Sequence, residues 1–180
     1  RVLFRSLDME SEWIETFFLA TSMHDVGKIG IPDKILLKPG KLDPHEWEVM
    51  QQHTVIGSKI LENSSSTIIR MGEVIAMTHH ERWDGSGYPA GLQGEAIPLE
   101  GRITAIADVY DALTSKRPYK EPFPPEKALA IVREERGRGF DPQLVDAFLE
   151  ITDRIITVGR EYGDTRESLF YQMAKAAVGE

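Results

Sequence analysis

An all-α fold, a compact helical bundle, is what this sequence predicts, and three observations predict it. Apolar residues recur at helical rather than alternating spacing along most of the chain. Proline-led helix starts stand at Asp43-Pro44, Pro124-Pro125 and Asp141-Pro142. No segment reads convincingly as a strand, and there is no internal repeat or low-complexity tract.

The elements follow in order. From Asp8 to about Met23, Trp13, Ile14, Phe17, Phe18 and Ala20 fall near helical spacing. Pro32-Asp33 and Pro39-Gly40 break the chain into a loop, with Ile35-Leu36-Leu37 as an apolar patch between them. Asp43 then reads as an N-cap, with Pro44 in the first turn and Glu46 completing a capping box. That helix is expected to run to about Glu62, where Asn63-Ser64-Ser65-Ser66 breaks it. The next covers roughly Thr67 to Glu81. Residues 84–101 hold five glycines and two prolines without helical period, so they read as a long loop with a short hairpin. Long loops in compact domains usually carry function. Ile103 to Ser115 is a strongly apolar helix, and two more start at Pro124 and Asp141. Gly163 to Ala177 reads as a last helix with looser ties. The domain is therefore drawn over 1–160, with a C-terminal helix or tail over 161–180.

At 180 residues one domain is expected. A hydrophobic fraction of 41% is enough for a core. No apolar run approaches the roughly 18–20 residues that span a membrane, and no signal peptide is read at Arg1-Val2-Leu3-Phe4-Arg5. There is no cysteine, so any metal is held by nitrogen and oxygen, and a cytoplasmic home is consistent with that. A net charge of −8 argues against long nucleic acid as a partner, but not against a small phosphate ligand.

The chain has five histidines, and three of them stand in two short motifs, His24-Asp25-Val26-Gly27-Lys28 and His79-His80-Glu81-Arg82-Trp83-Asp84-Gly85-Ser86-Gly87-Tyr88-Pro89. Adjacent residues on a helix point about 100° apart. Each pair can thus reach two metals, or one metal near a helix end, which suits a multinuclear site. The i,i+4 histidines of zinc proteases are a different pattern. Asp108 and Asp111 lie three apart on an otherwise apolar helix. An aspartate there is costly to bury unless it is paired or bound to metal; Asp108 could instead pair with Arg102, or one of the two could face solvent. His53 on its own reads more readily as a surface or core histidine than as a ligand. His45, in the first turn of its helix, reads as exposed. Imidazoles and carboxylates without sulfur suit iron, manganese, nickel or zinc. Two such ions roughly 3.5–4 Å apart can clamp a phosphate.

These motifs resemble a family. His24 to Lys28, then Ile29-Gly30-Ile31-Pro32-Asp33 and Leu37-Lys38-Pro39-Gly40, resemble the HD-GYP domain, a branch of the HD superfamily of metal-dependent phosphohydrolases. His79 to Pro89 looks like the motif that names the branch, and Ala107 to Ser115 with Arg117-Pro118-Tyr119-Lys120 match its later blocks. The resemblance covers about Met23 to Ile151. It implies hydrolysis of the bacterial messenger cyclic di-GMP, to linear pGpG or GMP, by a hydroxide bridging two or three divalent metals, iron or manganese foremost. It implies His24, Asp25, His53, His79, His80 and Asp108 as metal ligands, with Asp25 and Lys28 central to catalysis. Lys28 would contact the reacting phosphate. Gly85, Gly87, Tyr88 and Pro89 would form a loop over the substrate, and Arg117 and Lys120 would hold the more distant phosphate. Asp111 would orient a ligand or the loop from behind.

Members of that branch carry an upstream helix that supplies a histidine and, in trinuclear members, a glutamate. Only 23 residues precede His24 here, none of them histidine, although Glu10, Glu12 and Glu15 are available. The expectation is a truncated first helix or an altered third metal site. Two readings compete with the leading one: hydrolysis of another cyclic dinucleotide, such as cyclic GMP-AMP, and a catalytically silent module that binds the dinucleotide or a partner. The partners implied are cyclic di-GMP, a fused or regulating receiver or sensory domain, and a second copy in a homodimer.

Overall fold

Local side-chain chemistry sets most of the helix starts. In a computed structural model describing residues 9–115 and 121–159, the chain runs through α1 (Ser11–Thr21), a 3₁₀ turn (Val26–Gly30), α2 (Asp33–Leu36), α3 (Pro44–Gln51) and α4 (His53–Leu61). It continues through α5 (Thr67–Thr78), a second 3₁₀ turn (Gly94–Ala96), α6 (Leu99–Thr114), α7 (Pro125–Glu134), α8 (Pro142–Glu150) and a helical run over 152–159. The Asp43 carboxylate accepts the Glu46 N–H at 2.9 Å, and the Glu46 carboxylate accepts the Asp43 N–H at 2.8 Å, so the capping box is made. Asp141 caps α8 by accepting the N–H groups of Gln143 and Leu144.

The all-α expectation holds: the described residues contain no strand, only isolated bridges at Asp84–Gln93 and Arg136–Phe140. The first bridge is all there is of the expected hairpin. None of the described helices is long and apolar enough to cross a membrane. The opening residues 1–8, the expected helix at 163–177, and Arg117 and Lys120 lie outside the described residues.

Three boundaries differ from expectation. The helix from Asp43 does not run through to Glu62 but breaks at Gln52, between α3 and α4. The His53 and Thr54 side chains take the Met50 and Gln51 carbonyls, which an unbroken helix would use for backbone bonds. The helix after Thr67 ends at Thr78, with His79 as its C-cap, rather than at Glu81. The helix expected from Ile103 begins at Leu99, because Gly101 belongs inside it. A Cβ on Gly101 would stand 2.2 Å from the Thr78 hydroxyl, so that glycine marks close packing of α6 on α5 rather than a loop.

The core joins Phe17 and Ala20 of α1, Ile75 of α5 and Ile106 of α6 to Val132 of α7 and Val145 of α8. Helix α5 is the central layer, packed on α1, α4 and α6. Helix α4 also carries the first 3₁₀ turn. There the backbones nearly touch: a Cβ on Gly27 would stand 1.9 Å from the His53 carbonyl oxygen and 2.4 Å from the Gly57 nitrogen. Backbone cannot yield as a side chain can. Gly27→Ala should therefore cost about 3 kcal/mol, the upper end of ordinary overpacking, read as a lower midpoint in urea unfolding; an unchanged midpoint would refute the close approach.

Candidate metal centre

Three helix C-termini converge on one point, and each presents an imidazole. His24 follows α1 and donates Nδ1–H to the Thr21 carbonyl at 2.8 Å. His53 follows α3 and donates Nδ1–H to Met50 at 2.7 Å. His79 caps α5 and donates Nδ1–H to the Ile75 carbonyl at 2.9 Å, with Ala76 at 3.1 Å. A carbonyl can only accept, so each bond puts the proton on Nδ1 and leaves the Nε2 lone pair free. Metal-binding histidines are commonly oriented in this way.

The Nε2 atoms meet around Asp25. His53 Nε2 lies 3.5 Å and His79 Nε2 3.8 Å from Asp25 Oδ1, and the two nitrogens are 3.5 Å apart. Asp25, His53, His79 and His80 each offer a donor atom within 4.8 Å of the others. The second Asp25 oxygen serves the other side: Oδ2 lies 3.3 Å from His24 Nε2 and 2.5 Å from Lys28 Nζ. His24 Nε2 is in turn 3.9 Å from Asp108 Oδ1. Asp25 therefore stands between two donor sets: His53 and His79 face Oδ1, with His80 in the same cluster, and His24 faces Oδ2, with Asp108 beyond it. Arg102, the alternative partner for Asp108, pairs instead with Asp141 at 2.6 Å.

The residues fit a divalent metal. Asp25 Oδ1 is a buried carboxylate oxygen with no hydrogen-bond partner, a costly state that a cation at the imidazole lone pairs would relieve. The electrostatics agree. Burial, then neighbouring imidazoles, holds His79 down at about 4 and His80 at about 3, and burial lowers His53, so all three are neutral donors at pH 7. Burial pulls His24 down, but the Asp25 hydrogen bond and charge and the Thr21 carbonyl leave it raised. Burial raises the Asp25 carboxyl, yet the hydrogen bonds and charges of His24 and Lys28 hold it far below the carboxylate range. A metal on His24 would take the place of that imidazole proton.

The loop after His80 folds back over these ligands. Tyr88 stacks on His80, with centroids 4.8 Å apart and planes 26° apart, and its N–H donates to the His80 carbonyl at 3.2 Å. Burial, then the Asp25 and Asp108 charges, pushes the Tyr88 phenol well up. Gly85 turns at φ +81°, and Gly87 lies against the Glu81–Arg82 backbone. The Tyr88–Pro89 peptide is cis, and Pro89 is exposed. Asp111 lies one turn beyond Asp108, exposed, and His45 is exposed as expected.

A family model described as "HD domain" matches residues 1–144. The chain belongs to the HD-domain family. Among curated relatives, a "Cyclic di-GMP phosphodiesterase" of Thermotoga maritima is 49% identical over 88% of this chain and 43% of its own length. A "3'3'-cGAMP-specific phosphodiesterase 2" of Vibrio cholerae is 52% identical over 77% of this chain and 27% of its own length. The crystal structure of a cyclic GMP-AMP phosphodiesterase of Vibrio cholerae shares the fold, with a TM-score of 0.60 at 19% identity over 88% of this chain and 42% of that one. The chain thus spans less than half the length of the relatives it matches. The HD-GYP resemblance read from the motifs agrees with these relatives.

One residue of this HD domain escaped sequence reasoning. Glu81, 3% exposed, accepts the N–H groups of Ala90 at 2.7 Å and Leu92 at 3.0 Å. It ties the loop to the residue next to His80. Arg82 adds a brace, donating to Glu135 at 2.6 Å and to Ser86 at 3.0 Å. The available signal was a charged side chain placed directly after two ligand-type histidines.

Asp25→Ala should lose bound metal while the chain stays folded, since it removes the oxygen shared by both donor sets; wild-type metal content by elemental analysis would refute the assignment. Glu81→Ala should speed amide exchange at Ala90 and Leu92 by about ten-fold or more, from loss of acceptors worth about 1–3 kcal/mol. Unchanged exchange there would remove Glu81 as the loop's anchor.

Proposed function

We propose that this chain is a metal-dependent phosphodiesterase that hydrolyses cyclic di-GMP to linear pGpG, and onward to GMP where both diesters are cut. The observation that carries the reading is the unpartnered Asp25 oxygen facing imidazoles whose lone pairs point inward. His53, His79 and His80 with Asp25 would hold one ion, and His24 and Asp108 with Asp25 a second. Iron and manganese suit this nitrogen and oxygen set. When bound, such ions supply Lewis-acid stabilisation of phosphate oxygens and a more acidic water.

The chain's own residues do the rest. Asp25 orients His24 and anchors Lys28, whose ammonium beside the donor sets can neutralise charge developing on a phosphate oxygen. Tyr88 covers one face of the His80 ring and so helps hold its orientation. Asp108 adds negative charge near His24, which favours a cation there over an empty site. Arg117 and Lys120 are assigned the distal phosphate on their motif alone.

A second reading has a specific support, the 52% identity to a relative named for 3'3'-cGAMP. Hydrolysis of that hybrid dinucleotide uses the same metal chemistry and differs only at one base. Over half of each relative lies outside the matched region, which supports control by a fused receiver or sensory domain; a cytoplasmic place for the chain is part of the same proposal.

Loading the chain with Fe(II) or Mn(II) without oxygen and following cyclic di-GMP by chromatography should show pGpG or GMP, abolished by a chelator. Faster turnover of the GMP-AMP dinucleotide would favour the second reading. Bound metal with no turnover of either would make the chain a silent binding module.

A further inference from the structure

The phosphodiesterase reading places a phosphate at the metals but leaves the bases without a partner, and the inference below rests on that reading. Trp47 lies on α3, one turn before Met50, whose carbonyl fixes His53. Its side chain is 47% exposed and takes no part in the hydrophobic core. The indole meets Tyr88 edge to face, at 6.1 Å and 81°. Tyr88 stacks on His80, and His80 is one of the four clustered metal donors. A row of rings therefore runs from the metal ligands to solvent, through His80, Tyr88 and Trp47.

An exposed tryptophan can also mark a protein interface, but such surfaces are contiguous apolar patches. Here the immediate neighbours along the helix are exposed His45, exposed Glu48 and the ion-paired Glu46. Its neighbours in sequence are polar, and the ring contact it makes is with Tyr88. An exposed ring beside a centre read as phosphate-binding has the form of a base-stacking platform, which needs one accessible π-face and little else.

We propose that Trp47 is a nucleobase subsite, stacking on one purine of the cyclic dinucleotide whose phosphate lies at the metal centre. The neighbouring ring of Tyr88 holds the indole in place, so that the platform forms before substrate arrives. Because stacking is tolerant of base identity, this subsite would add affinity for guanine and adenine alike.

The test uses the metal-loaded chain with Trp47→Ala and Trp47→Phe, and reads steady-state kinetics, metal content and the tryptophan fluorescence change on mixing with cyclic di-GMP. Trp47→Ala should raise KM about ten-fold, the size of one base–aromatic stack, with a smaller change in kcat and wild-type metal content. Trp47→Phe, which keeps a ring, should recover most of the KM. Quenching by the dinucleotide should be lost in Trp47→Phe, although Trp13 and Trp83 remain. An unchanged KM, a joint fall of kcat and metal content, or quenching that survives Trp47→Phe would each overturn the proposal. If the wild-type chain turned over no dinucleotide, the phosphodiesterase reading alone would fall. Quenching lost in Trp47→Phe would then still establish the subsite, and its absence in the wild type would refute it.

Discussion

The hydrogen bond from an imidazole Nδ1 to a carbonyl one turn back is the interaction on which the rest of this structure depends. It is made three times, by His24 on Thr21, His53 on Met50 and His79 on Ile75. Each of those carbonyls belongs to the last turn of a helix, where acceptors run short of intrahelical partners; the Thr21 and Ile75 carbonyls also take the His24 and His79 N–H groups. The same bond therefore finishes a helix and fixes a tautomer. It also places the negative end of three helices around one point, which favours a cation. The ligands are consequently as well fixed as the packing of α1, α3 and α5.

Close backbone contact then sets the remaining distances. Gly27 lets the 3₁₀ turn lie directly on the His53 carbonyl, and Asp25, which precedes that turn, is carried to within 3.5 Å of His53 Nε2. A larger residue at 27 would separate the carboxylate from the imidazoles it shares a site with. On the other flank, Glu81 spends both oxygens on the loop amides. The residue after the histidine pair thereby commands the loop that returns Tyr88 to His80.

What was legible in the sequence was local. Asp43, Pro44 and Glu46 encode a capping box within four residues, and the structure makes it. The paired histidines advertised themselves because both members of each pair are ligand types. What was not legible depends on contacts between distant segments. No helix breaker stands near Gln52, so the break that puts His53 at a helix start could not be read; it arises from side chains taking their own helix's carbonyls. Gly101 looked like loop because its purpose is contact with Thr78. Glu81 was passed over because its partners are backbone N–H groups, which any sequence supplies. Trp47 was silent for a related reason: its meaning lies in exposure and in a ring forty-one positions away.

The charge balance shows why this arrangement calls for a cation. The imidazoles of His53, His79 and His80 are neutral near pH 7 because burial makes protonation costly. The Asp25 carboxylate stays ionised against the same burial, supported on Oδ2 by Lys28 and His24. Those two partners leave Oδ1 untouched, and it faces the lone pairs of His53 and His79 rather than protons. An oxygen anion and nitrogen lone pairs repel one another, so the protein by itself gains nothing from gathering them. The fold holds them together with helix caps and backbone contacts made elsewhere, and a divalent ion would turn that repulsion into coordination. The same preorganisation leaves the aromatic row of His80, Tyr88 and Trp47 running from the centre toward solvent.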